Sequence, residues 1–317
     1  MEQTHTAGGV ASMNNKIKFK KKQIEVGSLS ICLPIIELGN HRGKSLAITC
    51  GVHGNEATSI LLMAELIKRV KNEKLNGNIK IILLANPLAS LFNSRVSPLD
   101  YQDLNRIAPG NPNGTCSERV CRMVLEEILS QEYFIDLHEW PKTKSMIQGI
   151  VINDPKDSTS VDMLGVFNPQ IKLLLDTNCY SNSVYAFAHN KKNKKGFALE
   201  IPNSNIINSE DKKRIVDSLI NVIKYLGILN TPSNSYSEEN LTISKAIPFT
   251  SHYNGIFYPQ KKLGEKLQKN SQIGYILEYD LKTKHILKNS IENTLLINLA
   301  PNTIVNVGDL LYVLGEK

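Results

Sequence analysis

Short apolar runs alternate with stretches in which an apolar residue recurs every third or fourth position, and this continues to about residue 230. Leu46 to Cys50, Ile81 to Leu84 and Phe134 to Leu137 read as buried strands. Ala57 to Val70 reads as a helix, with Ile60, Leu61, Ala64, Leu66 and Ile67 as its apolar positions. Ser117 to Ser130 is amphipathic through Val120, Val124, Leu125 and Ile128, with Ser117 as N-cap. Ser209 to Leu226 has the same character, and Gly227 suits the position just past its end. Strand and helix in alternation predict an α/β layer fold. Beyond the turn-rich Asn230 to Ser235 the texture changes to short apolar runs broken by Gly and Asn, at Gly255–Pro259, Leu263–Gly264, Ile273–Leu277 and Val307–Val313. That predicts a small all-β domain. The expected organisation is a tail over 1–15, an α/β domain over 16–230, a linker over 231–240 and a C-terminal β-domain over 241–317.

The first strand runs straight into Gly51-Val52-His53-Gly54-Asn55-Glu56. A turn there places His53 and Glu56 at the carboxyl end of the strand, the edge at which open α/β sheets bind ligands. Imidazole nitrogen and carboxylate oxygen both suit zinc, and a catalytic zinc takes three protein ligands. His138 ends the Phe134 strand and completes a His2Glu set. H-x-x-E by itself also recurs by chance, so the third ligand matters. Asp136 shares a strand face with His138 and either steadies its second ring nitrogen or accepts from a backbone amide. Glu139 faces the other way and is not counted as a ligand. Asn105 and Arg106 lie in a polar loop and together suit a carboxylate. The alternative for Arg106 is a surface ion pair with Asp103.

In order, H-G-N-E (His53 to Glu56), N-P-x-A (Asn86 to Ala89) with a following Arg95, D-L-N-R (Asp103 to Arg106), D-L-H (Asp136 to His138) and Leu199-Glu200 after Gly196-Phe197-Ala198 make a specific set. With it the chain resembles the succinylglutamate desuccinylase/aspartoacylase family of the zinc carboxypeptidase superfamily. The resemblance implies a zinc-carboxypeptidase-like mixed sheet flanked by helices and one zinc ion per chain, held by His53, Glu56 and His138. It implies that Glu200 is the catalytic glutamate, that Arg95 polarises the scissile carbonyl, and that Asn105 and Arg106 grip the substrate's carboxylate. The activity implied is hydrolysis of the amide bond of a small anionic N-acyl amino acid, such as an N-acetyl or N-succinyl amino acid. Glu200 would act as general base and then general acid, beside a metal that lowers the pKa of water to about 7. Two local departures stand out: Val96 to Gln102 is longer than the matching loop in several members, and Ile107-Ala108-Pro109-Gly110 lacks the Phe that many carry. The C-terminal pattern resembles the family's β-domain, which is similar to a lipoyl-type barrel. No hairpin-tip Lys suits a carrier role, so the domain is read as shaping the pocket mouth or building a homo-oligomer.

A chain of 317 residues can bury a substantial core. No apolar run nears the roughly 20 residues that span a bilayer, and no leader-like apolar segment is visible, so no membrane partner is expected. Five cysteines without paired spacing read as free thiols in a reducing compartment, the cytoplasm. Residues 1–12 lack periodicity and read as a flexible or cloning-derived tail, with Met13 the natural start. The net charge of +7 is concentrated at Lys16–Lys22 and Lys191–Lys195. Either run could contact phosphates, but neither carries the repeated stacking aromatics of a nucleic-acid groove, so solvated surface is the preferred reading and no nucleic acid is expected. The second run could also form a basic rim near Glu200. Two rivals stay open: a zinc carboxypeptidase using the same residues on short peptides, and a non-catalytic zinc- or ligand-binding protein, which an intact Glu200 opposes.

Overall fold

In the computed structural model, described over residues 17–40, 42–140, 142–152, 154–176, 181–203, 207–234 and 241–317, buried strands gather into one large sheet. The chain opens with β1 (Lys18–Val26) and β2 (Leu29–Gly39), followed by β3 (Ser45–Thr49), α1 (Thr58–Val70), β4 (Asn78–Ile82), α2 (Pro87–Leu91), a 3-10 turn (Leu104–Arg106) and α3 (Cys116–Leu129). Next come β5 (Tyr133–Glu139), the two-residue β6 (Lys144–Ser145), β7 (Gln148–Ile152), α4 (Ser158–Phe167), β8 (Ile171–Leu175) and α5 (Val184–Ala186), which runs into a π-helical turn (Phe187–Lys191). β9 (Lys195–Ile201), α6 (Ser209–Tyr225) and β10 (Leu241–Ile243) complete this part. The sheet has nine strands in the order β1-β2-β4-β3-β5-β9-β7-β8-β10. β4, β3, β5 and β9 run parallel, while β1 is antiparallel to β2, β2 to β4 and β7 to β9. It is the mixed sheet expected.

Every residue of β4 and β5 is buried, as expected of central strands covered on both faces, and their polar members are paired: Lys80 with Glu127 at 2.6 Å and His138 with Asp136 at 3.0 Å. One face carries α1, α4 and α6 on Leu46, Ile48, Ile135, Leu137, Phe197 and Leu199. The other carries α3 and α5 on Ala47, Ile82, Phe134 and Ala198. Each fully buried Leu or Ile stabilises by about 1.5–3 kcal/mol relative to exposure. On α1 the buried stripe is Leu62, Met63, Leu66 and Val70; Leu61 and Ala64, expected on the apolar face, are exposed. A 3.6-residue repeat lets two neighbouring stripes share Leu66, and the sheet selects one. α3 begins one residue before the expected cap. Thr115 caps it in a capping box with Glu118, reaching N–H groups that Ser117, already inside the first turn, cannot reach. Gly227 ends α6 at φ +71°, as its position predicted.

The lysines of β1 are on an edge strand. Lys20 pairs with Glu37 at 2.9 Å, and Lys22 with Glu127. Edge lysines discourage strand-to-strand association, which is a better account of this run than phosphate binding.

The remaining strands are β11 (Lys245–Thr250), β12 (Gly255–Pro259), β13 (Lys266–Leu267), β14 (Gln272–Leu277), β15 (Lys284–Lys288), β16 (Thr294–Leu299), β17 (Thr303–Val305) and β18 (Leu310–Glu316). They form two antiparallel sheets, β11-β18-β16-β13 and β15-β14-β12-β17, around Phe257, Ile276, Leu296 and Leu314. The expected boundary at Leu241 needs correction. β10 pairs in parallel with β8 inside the main sheet, so the β-domain's own sheets begin at Lys245. In exchange β6 pairs with β16. The two units are joined by Ile171, Leu173 and Ile243 against Leu295, Ile297 and Val313. The expected tail over 1–15 and most of the linker, residues 235–240, lie outside the described residues. Among the described residues no helix is long and apolar enough to cross a membrane.

Candidate metal centre

β4 and β5 lie on opposite sides of β3, so the chain leaves the carboxyl end of β3 in one direction and returns past it to β5. Such a reversal opens a crevice at the strand ends. His53 and Glu56 come from the loop after β3. Gly51 bends that loop at φ +64°, and Cys50 and Gly51 accept from the Ala85 and Asn86 amides at 2.8 and 2.9 Å. At Gly54 a Cβ would stand 1.9 Å from the Ala89 carbonyl carbon, so only glycine lets the loop rest on α2. Asn86 caps α2 and Pro87 opens it, which explains Asn-Pro at this point. The Glu56 amide donates to the His53 carbonyl at 3.2 Å, and that turn brings both side chains to one side.

His138 arrives from β5. His53, Glu56 and His138 are buried, and one ligand atom from each lies within 4.8 Å of the others. Among the described residues no other group of three such side chains is close enough to share an ion. Glu56 Oε1 meets His53 Nδ1 at 2.5 Å, and Oε2 meets His138 Nδ1 at 3.2 Å. The outer ring nitrogens are held by carboxylates: His53 Nε2 by Asp103 at 3.2 Å and His138 Nε2 by Asp136 at 3.0 Å. Two imidazoles and a carboxylate, each ring backed by an acid, fit a zinc ion by donor type and by outer support.

The titration of these groups follows from their neighbours. Burial lowers His138, but Asp136 and Glu56 outweigh it and hold the imidazole well above its ordinary value. His53 is likewise lowered by burial and raised further by Asp103 and Glu56. Burial raises Glu56, yet the two histidines bring it down to about 2. Asp103 is raised by burial and lowered more by His53, Arg95 and the Asn105 amide, so it stays below the usual carboxylate range.

Glu200 stands opposite His138 in the β5–β9 register and so shares its face of the sheet. Burial pushes its carboxyl up, His138 opposes, Glu56 adds, and the result is about 7. Arg95 donates through Nε and Nη2 to Asp103 Oδ2 at 3.0 and 2.9 Å, close enough to Glu200 to lower its pKa. The ion pair considered for Arg106 and Asp103 is therefore made by Arg95. Asn105 Oδ1 accepts from the Val184 amide at 2.8 Å, and exposed Arg106 donates to the Asn105 carbonyl at 2.8 Å. The seven predicted residues thus fall at the carboxyl edge of the sheet or in the loops beside it. The Lys191–Lys195 run does not. Lys195 begins β9 and Glu200 nearly ends it, so the run lies at the opposite end of the strand from Glu200, and Lys195 pairs with Asp157 at 3.4 Å.

Two residues were missed. Asp103 links His53, Arg95 and the Asn105 amide; its signal was its place one residue ahead of a turn, where Asp accepts backbone N–H groups. Glu139, set aside as pointing away, is buried, and Oε2 accepts from the Thr58 amide at 3.2 Å. Burial raises its carboxyl to about 7, against the lowering effect of Thr58.

Residues 42–226 match the succinylglutamate desuccinylase/aspartoacylase catalytic domain, and the chain belongs to that family. It is 27% identical over 142 residues to the N-alpha-acetyl-L-2,4-diaminobutyric acid deacetylase of Halomonas elongata, covering 44% of this chain and 41% of that one. It is 33% identical over 116 residues to the succinylglutamate desuccinylase of Shewanella baltica, covering 35% and 32%. The chain thus spans less than half the length of these curated relatives. Whole-chain likeness is found in solved structures. The product-bound ectoine utilization protein EutE (DoeB) from Ruegeria pomeroyi matches with a TM-score of 0.83 and 19% identity over 100% of both chains. The succinylglutamate desuccinylase/aspartoacylase from Rhodobacter sphaeroides matches with a TM-score of 0.81 and 19% identity over 98% and 99%. At that identity they establish the shared fold.

Proposed function

We propose that the chain is a zinc-dependent amidohydrolase that removes the acyl group from an N-acyl amino acid, of the N-acetyl or N-succinyl kind. The observation that carries this reading is the convergence of His53, Glu56 and His138 beside Glu200, a carboxyl raised to about 7. The curated relatives above, named for removing an acetyl or a succinyl group, support it.

Bound zinc would supply Lewis-acid polarisation of the amide carbonyl and lower the pKa of water. Glu200 takes a proton from the attacking water and returns it to the departing amine; a pKa near neutrality suits both tasks. Arg95 is fixed by Asp103 through two nitrogens and offers Nη1 to the negative charge that develops on the carbonyl oxygen. With the Asn105 carboxamide oxygen taken by the Val184 amide, its NH2 group is left to donate to the substrate's carboxylate together with Arg106. Fixing that far end orients the amide at the metal centre.

The test is amine release from a panel of N-acetyl and N-succinyl amino acids, with and without a chelator. Release that stops on chelation and returns with zinc is expected. No release from any member, or release indifferent to the chelator, would sink the reading. Shortening of peptides from the carboxyl end instead would favour the carboxypeptidase alternative.

A further inference from the structure

We propose that Glu139 is a positioning residue: its carboxylate ties the amino terminus of α1 to the end of β5 and so sets the spacing between Glu56 and His138. The inference rests on the reading of His53, Glu56 and His138 as a metal centre. α1 starts two residues after Glu56, and its first turn has unsatisfied N–H groups like that of any helix. Its own N-cap, Ala57, provides no side-chain acceptor, and the first turn contains no acid. The acceptor comes from Glu139, 81 residues beyond Thr58 in sequence. A carboxylate there also meets the positive end of the helix dipole.

Alternation along β5 gives the arrangement its consequence. His138 projects toward Glu56 while Glu139 projects toward α1, so adjacent residues hold the two sides of the turn that carries Glu56. Glu56 gives one oxygen to each histidine, and this bridging fails if α1 drifts along the strand end. A helix cap alone would be met more simply by Ser, Thr, Asp or Asn at position 57. Glu139 is instead buried at 3% exposure, and its Oε1 has no hydrogen-bond partner among the described residues. Burying a carboxylate that is only half satisfied is costly. Such a residue suits a place where spacing matters more than stability.

The test is cobalt(II) titration of the metal-free protein, followed by visible ligand-field absorption, with zinc competition and thermal melts of the metal-free forms. Glu139→Ala should weaken cobalt affinity about 10–100-fold and shift the absorption bands, as loss of an outer partner does. Glu139→Gln keeps an oxygen for the Thr58 amide and should restore affinity to within about threefold of the parent. Glu139→Asp keeps the charge but falls one methylene short, and should behave as Ala does; with Gln it decides the matter if the Ala protein does not fold. Unchanged cobalt affinity and spectrum in the Ala or Asp protein, even with a lower melting temperature, would reduce Glu139 to a helix cap. Failure of Gln to restore affinity would also overturn the proposal. The parent and His138→Ala are titrated alongside. A parent that binds no cobalt, or a His138→Ala protein that binds it like the parent, removes the metal reading itself and the role of Glu139 with it.

Discussion

Two buried histidine–carboxylate clusters sit at opposite ends of β9, and only one has the makings of a site. At the amino end, Asp157 Oδ2 meets His189 Nε2 at 2.8 Å and accepts from Ser160 Oγ at 2.5 Å, while Oδ1 faces the Ser160 amide and Lys195. His189 Nδ1 meets Asn190 at 3.0 Å, and Ser160 Oγ accepts from the Gly196 amide at 2.8 Å. These contacts join α4, the π-helical turn and β9. Serine, histidine and aspartate are all present, but the serine hydroxyl is bonded to the aspartate and not to the histidine, so no nucleophile is prepared. At the carboxyl end, two imidazoles turn Nδ1 toward one carboxylate while Asp103 and Asp136 hold their outer nitrogens. A buried histidine beside an acid is common to both clusters. Convergence of donors on one point, with each donor backed from outside, distinguishes the second.

The largest expected contrast is between His138→Ala and His189→Ala. The first should abolish stoichiometric metal in purified protein, since it removes one of the three proposed ligands. The second should leave metal content intact and lower stability by about 1–3 kcal/mol, the typical cost of depriving a buried acceptor of its partner. Metal analysis and denaturant melts on the two proteins decide; metal loss in the His189 variant would erase the distinction.

Next in size is Glu200→Gln. Gln matches Glu in shape but cannot take a proton from water, so turnover should fall about 10²–10⁴-fold while metal content stays at the parent level. Activity within a few-fold of the parent would place the general base elsewhere. Loss of metal with activity would make Glu200 part of the binding set.

Much of this contrast was legible in the sequence, because the carboxyl-end cluster is built from short motifs at strand ends. H-G-N-E and D-L-H each follow an apolar run, and a parallel sheet must bring such ends to one edge. α1, α3 and α6, and among the C-terminal strands β12, β14 and β18, followed from apolar spacing; α2, α4, α5 and the remaining C-terminal strands did not. What escaped notice depends on distant contacts. Glu139 reads from the sequence only as an acid on the face opposite His138, because nothing near it in sequence announces the uncapped helix 81 residues earlier. Lys191–Lys195 looked close to Glu200, but five residue steps of extended strand carry Lys195 about 17 Å from it. β10 was misassigned because three residues carry too little pattern to show which sheet they join.

The pH dependence of metal binding sharpens the contrast further. His53 and His138 are raised above their ordinary value in the metal-free fold, His138 well above it, so each ring holds its proton to higher pH than a free imidazole does. Metal needs both rings neutral, and its binding therefore releases protons. Apparent affinity should rise with pH by about tenfold per unit for each proton released, and level off above the raised values. The metal-free protein should respond in the opposite sense. Contacts between imidazolium and carboxylate contribute fully below the ordinary histidine value of about 6.5 and are lost as pH climbs through the raised values. Isothermal titration at several pH values, with melts of the metal-free protein, measures both slopes. A flat affinity profile from pH 5 to 8 would mean that the imidazoles are not the groups displaced.

The smallest effect expected is none at all, and it tests whether charge at the amino end of β9 reaches the chemistry. Arg106→Ala removes a guanidinium from the loop beside the proposed metal centre and should raise KM for a carboxylate-bearing substrate about tenfold or more, the loss typical of a charge-assisted hydrogen bond. Its kcat should change little, because a grip equal in ground and transition states appears in KM. Lys191→Ala combined with Lys192→Ala removes two positive charges from the run once considered as a basic rim. Both lysines are exposed and lie at the end of β9 away from Glu200. At ordinary salt, charges separated by more than about 8–10 Å of solvent are largely screened. KM and kcat should therefore match the parent within error at physiological ionic strength. A rise in KM for the double variant that disappears at high salt would show long-range steering by these lysines. The basic run would then belong to the site after all, and the separation drawn between the two ends of β9 would fail.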